Sequence, residues 1–81
     1  MRAKEHEEAV NAYTRSIELN PVEAATYCNR AMAYLRMKNY AKCIEDAEKT
    51  LEMEPDYVKA YHRRGKALLA IRAYKLAIRD F

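Results

Sequence analysis

Residues that turn a chain are scarce here: one glycine and two prolines among 81 residues. A sheet folded from β-hairpins needs such residues at each reversal, so that architecture is disfavoured. Also missing is any apolar run near the roughly 20 residues that a membrane-spanning helix requires. The first eight residues are charged and largely acidic, unlike the start of a secretory signal. Together these absences point to a cytoplasmic chain with no membrane role. Cys28 and Cys43 show neither CxxC spacing nor a His-rich companion segment. Two free, packed thiols are expected, with a disulfide as the alternative. His6 and His62 stand far apart and pair with neither cysteine at ligand spacing, so neither metal nor cofactor is expected.

What is abundant is helix-forming: Ala, Glu, Lys, Arg, Leu and Met. Hydrophobic residues make up 51% and charged residues 33%, a balance that suits one folded domain. The expected class is all-α.

The organising feature is a period of 34, the separation of Pro21 from Pro55. Each proline closes an apolar, acidic helix end, Ile-Glu-Leu-Asn-Pro at 17–21 and Leu-Glu-Met-Glu-Pro at 51–55. Proline cannot continue a helix and disfavours helical geometry just before it, so both mark stops. Upstream of Pro21, small or apolar residues fall at Ala9, Val10, Tyr13, Ser16 and Ile17. The same stencil gives Cys43, Ile44, Ala47, Thr50 and Leu51 before Pro55, and a third copy opens with Ala77, Ile78 and Phe81. A second stencil alternates with it: Tyr27, Ala31, Tyr34 and Leu35 recur as Tyr61, Gly65, Leu68 and Leu69, and Tyr40 recurs as Tyr74. Spacings of three and four describe one helix face. Five helices are therefore expected, near 5–19, 24–37, 40–53, 58–71 and 74–81, joined by short connections as antiparallel hairpins. Gly65 inside a helix is expected to permit close helix approach.

A 34-residue helix–turn–helix unit is the tetratricopeptide period, and the whole sequence resembles that family. The resemblance implies a helical superhelix in one domain. Residues 1–23 would be the second half of a repeat, 24–57 a complete repeat and 58–81 a partial one. By that count the chain is cut at both ends, and its open apolar faces would favour self-association or a homo-oligomer stacked end to end.

Charge is partitioned between helix classes. The first helices, 24–38 and 57–73, carry Arg30, Arg36, Lys38, Lys59, Arg63, Arg64, Lys66 and Arg72, and no Asp or Glu. The remaining seven Lys and Arg share their segments with all 12 acids, a net of −5. In the family the first helices line a concave groove, so the groove here would be basic and attract acidic ligands. Cations that merely solvate exposed faces are the bland alternative.

Lys59 and Arg63 are i, i+4 and share a face. Asn29 holds the place of Arg63 one period earlier. An ammonium, a guanidinium and an amide converging there can hold a carboxylate. The segments Tyr-Cys-Asn-Arg-Ala-Met-Ala-Tyr (27–34) and Pro-Asp-Tyr-Val-Lys-Ala-Tyr-His-Arg-Arg-Gly (55–65) resemble the carboxylate-clamp group of heat-shock co-chaperones. That resemblance implies a partner with an acidic C-terminal tail ending Glu-Glu-Val-Asp. Asn29, Lys59 and Arg63 would fill three of five clamp positions, with Lys66, Arg36 and Met32 continuing the surface. A hydrogen bond between helices is the alternative for Asn29. Arg30 and Arg64 read as structural, their stems packed between helices.

The implied function is a non-catalytic, peptide-binding module of a co-chaperone or assembly factor; the alternative is a structural scaffold using its apolar end faces. Neither a nucleophile constellation nor a phosphate-cradling glycine loop occurs, and the aromatic and glycine-rich signatures of nucleic-acid binding are missing.

Overall fold

The computed structural model describes residues 3–79 and is all-helical over them. Four helices follow in order: α1 (Ala3–Leu19), α2 (Ala24–Arg36), α3 (Tyr40–Met53) and α4 (Val58–Arg79). The first three match the sequence expectation closely. Helix α1 stops before Pro21 and α3 before Pro55, as the prolines require.

The two proline turns share a latch. Tyr27 donates its Oη hydrogen to the Pro21 carbonyl at 3.2 Å, and Tyr61 does the same to Pro55 at 2.8 Å. The recurring tyrosine therefore ties the start of each first helix back to the preceding stop.

The turn between α2 and α3 is built differently. The Asn39 N–H reaches the Tyr34 carbonyl at 2.9 Å and the Lys38 N–H reaches that of Leu35 at 3.0 Å. This is a Schellman ending, with Lys38 in the left-handed region at φ 64. Asn39 then starts α3, its side chain accepting from the Lys42 N–H at 3.4 Å.

The fourth and fifth expected helices are one continuous α4. Tyr74 repeats Tyr40, yet no break occurs before it. One period after Asn39 the chain has Ala73, which has no side-chain acceptor to begin a new helix. The aromatic marked the place of a turn but did not supply its chemistry. Of the expected third stencil, Ala77 is exposed on α4, while Phe81 lies outside the described residues.

Helices α2, α3 and α4 meet through small side chains. Cys28, Ala47 and Ala60 form one buried cluster flanked by Leu51 and Tyr57. Ala31, Cys43 and Ala67 form a second, flanked by Tyr34, Leu35, Tyr40 and Ile44. Because the innermost residues are Ala and Cys, three helix backbones approach one another and α4 packs on α2 as well as on α3. Both cysteines are free and buried. Gly65 plays no part in this approach, for a Cβ built there meets nothing within 4 Å. It faces outward, opposite to the packing role expected of it.

Candidate functional site

Two antiparallel steps bring α2 and α4 side by side in the same direction. Ala60 and Ala67 anchor α4 inward, both fully buried. That leaves Lys59, Arg63 and Lys66, spaced four and three apart, along an adjacent stripe of the same helix. Lys59 and Lys66 are exposed and Arg63 is half-buried. On α2, Asn29 and Arg36 are exposed and Met32 is half-buried. These three line one hollow with His6, Ala9 and Tyr13 of α1. The six residues thus fall into two groups, one per helix.

Electrostatics link the groups. Burial raises the pKa of the Cys28 thiol, while Arg63 and then Lys59 pull it back down. Both cations therefore act on the turn of α2 that carries Asn29. Arg63 exerts the same downward pull on Cys43 and on Tyr57. Its carbonyl accepts from the Cys43 Sγ at 3.6 Å, holding the α4 backbone against α3. The Arg63 Nε is buried without a hydrogen-bond partner among the described residues. A buried donor left unpaired is costly.

Burial pushes the Cys43 thiol up to about 11 and raises that of Cys28, so neither supplies an accessible thiolate. No cluster of three or more His, Cys, Asp and Glu able to hold a metal occurs among the described residues. No described helix is long and apolar enough to cross a membrane.

Arg30 has a structural role, in a form the sequence reading did not identify. Its Nε and Nη2 donate to the two Asp46 oxygens at 2.8 Å each, and Nη1 donates to Thr14 Oγ1 at 3.1 Å. The guanidinium also lies 5.9 Å from the ring centroids of Tyr27 and Tyr34. One signal was present in the sequence: Arg30 and Asp46 are 16 apart, and so are Arg64 and Asp80 one period later. Arg64 rests over Tyr61, 5.3 Å from its ring centroid, and Asp80 lies outside the described residues.

Comparison with known proteins agrees with this architecture. Residues 24–57 match a tetratricopeptide repeat family model, and residues 1–23 match a second model of the same repeat. Over 48 residues the chain is 44% identical to human serine/threonine-protein phosphatase 5, which is 59% of this chain and 10% of that protein. The TPR domain of Arabidopsis OM64 superposes with a TM-score of 0.83 at 40% identity, covering 89% of this chain and 60% of that one. The second TPR domain of human RPAP3, solved in complex with the HSP70 peptide SGPTIEEVD, superposes with a TM-score of 0.78 at 33% identity. That match covers 93% of this chain and 62% of the other. The chain therefore spans under two thirds of each relative.

Proposed function

The chain belongs to the tetratricopeptide repeat family, and from that premise we propose that it is a non-catalytic, cytoplasmic adaptor module whose basic face binds the extended, acidic C-terminal tail of a heat-shock chaperone. The observation that carries this reading is the pair Lys59 and Arg63, one exposed and one half-buried cation a helical turn apart on a helix without acids. An anion between them would be met by two cations at once.

Two further observations support it. The residues 57–73 and 24–38 hold no acid that could neutralise the stripe. A structural relative, the RPAP3 domain, is solved with a chaperone peptide ending Glu-Glu-Val-Asp. In this reading Lys59, Arg63 and Asn29 hold the terminal carboxylate and the aspartate side chain. Lys66, Arg36 and Met32 meet the residues before them. Charge-assisted hydrogen bonds of this kind contribute about 1.5–3 kcal/mol each.

Calorimetry with a peptide ending Glu-Glu-Val-Asp, and with its C-terminally amidated twin, tests the proposal. Amidation is expected to weaken binding roughly tenfold or more. Twins of equal affinity would remove the carboxylate from the account.

A further inference from the structure

Tyr57 occupies the turn between α3 and α4, at the end of α4 that carries Lys59 and Arg63. Its main chain is pinned on both sides. The N–H donates to the Glu54 carbonyl and the carbonyl accepts from the Ala60 N–H, each at 3.1 Å. The half-buried ring packs against the cluster of Cys28, Ala47 and Ala60. Cys28 adjoins Asn29 on α2, and Ala60 adjoins Lys59 on α4. The ring is therefore wedged between the two helices that carry the proposed site.

Its hydroxyl is uncommitted. Tyr27 and Tyr61 spend theirs on the Pro21 and Pro55 carbonyls. The Tyr57 Oη makes no hydrogen bond among the described residues. Burial first, then Cys28 and Glu54, raise the pKa of this phenol, and Arg63 acts against that rise. The guanidinium thus lies within electrostatic reach of the hydroxyl. The repeat itself does not require a phenol at this place, for one period earlier stands Glu23, an exposed residue at the start of α2.

We infer that the Tyr57 hydroxyl, on the reading of this face proposed above, is a further donor to the acidic ligand and bonds the carboxylate that Arg63 holds. A carboxylate has lone pairs enough for a phenol as well as an ammonium and a guanidinium. A phenol donates without bringing a second charge to be desolvated, whereas an acid at this place would repel the ligand. Because the ring is already wedged and the main chain pinned, little side-chain freedom is left to lose on binding.

Calorimetry with a peptide ending Glu-Glu-Val-Asp, on the wild-type chain, Tyr57→Phe, Arg63→Ala and the double variant, tests the inference. Tyr57→Phe keeps the ring and its packing and removes a hydroxyl that bonds nothing within the chain, so its urea midpoint should equal that of the wild type. Its affinity for the peptide should fall about tenfold. In the Arg63→Ala background the same change should cost no more than about twofold, because the two groups share one carboxylate. Undiminished affinity in Tyr57→Phe would overturn the inference, and so would an equal loss in both backgrounds. Weaker binding accompanied by a lower urea midpoint would make the hydroxyl a structural group instead. The amidated twin keeps the two readings apart. Wild-type twins of equal affinity remove the carboxylate seat and this donor with it. A wild-type preference for the free acid that Tyr57→Phe retains at full affinity removes the donor alone.

Discussion

Arg30 and Asp46 face each other across the seam between α2 and α3, joined by two parallel hydrogen bonds of 2.8 Å. Their side chains are 19% and 7% exposed, so the pair is largely removed from water. Asp46, through hydrogen bonding first, raises the Arg30 pKa further above its ordinary value. Removing the acid would strand a guanidinium among Tyr27, Tyr34 and Thr14. Asp46→Ala is therefore expected to cost about 2–4 kcal/mol, read as a lower urea midpoint. Asp46→Asn, which keeps one acceptor oxygen, should cost less.

Lys38 offers a gain in the opposite direction. A side chain at φ 64 is strained where glycine would not be. Lys38→Gly is expected to stabilise the chain by roughly 0.5–1 kcal/mol in chemical denaturation. The Schellman bonds are main-chain and would survive the change.

Gly65→Ala should also stabilise. The glycine sits inside α4 with space around its missing Cβ. Alanine's helix propensity then acts unopposed, with a gain of about 0.5–1 kcal/mol expected in thermal melts.

The buried thiol of Cys43 links stability to alkaline pH. Its pKa is raised from 9.0 to about 11 by burial first and then by Asp46 and Cys28. Below pH 9 the thiol is protonated in both folded and unfolded chains, and its contribution is constant. Between about 9 and 11 the unfolded chain releases the proton and the folded chain does not, so stability falls as pH rises. Cys43→Ala should flatten that part of the urea midpoint against pH curve. An unchanged slope would mean the thiol is not coupled to folding.

For the proposed peptide face, Arg63→Ala and Lys59→Ala should each weaken binding of an acidic peptide by roughly tenfold or more. Lys66→Ala, an exposed cation farther along the stripe, should weaken it only a few-fold and mostly at low salt. Equal losses from all three would indicate a diffuse field rather than a seat for one carboxylate.

Much of the fold was legible in the sequence because its determinants recur. Pro21 and Pro55 stop helices by covalent geometry, and Tyr27 and Tyr61 latch back to them in the same way. Periodicity carries both. The junction at 72–74 was misread because the repeated aromatic was taken as the turn, whereas the working group in the turn before α3 is the Asn39 carboxamide. Arg30 read as packed, but its pairing with Asp46 depends on which faces of α2 and α3 meet, and helix periodicity does not specify that for a charged residue. The stripe of Lys59, Arg63 and Lys66 was readable from spacing alone. The unpartnered Nε of Arg63 was not, since burial of a single side-chain atom is set by tertiary packing and not by helix periodicity.

Helical repeats are coupled chiefly to their nearest neighbours, so arrays tend to open from the ends inward. Arg30 strengthens that nearest-neighbour coupling at one point, since a single guanidinium on α2 grips Asp46 on α3 and Thr14 on α1 together. The first three helices are thereby fastened into a single cooperative unit, with α4 joined to it by apolar packing and the Cys43 contact. In amide hydrogen exchange, α1 through α3 should then open together in one concerted event, and the second half of α4 should exchange well before them.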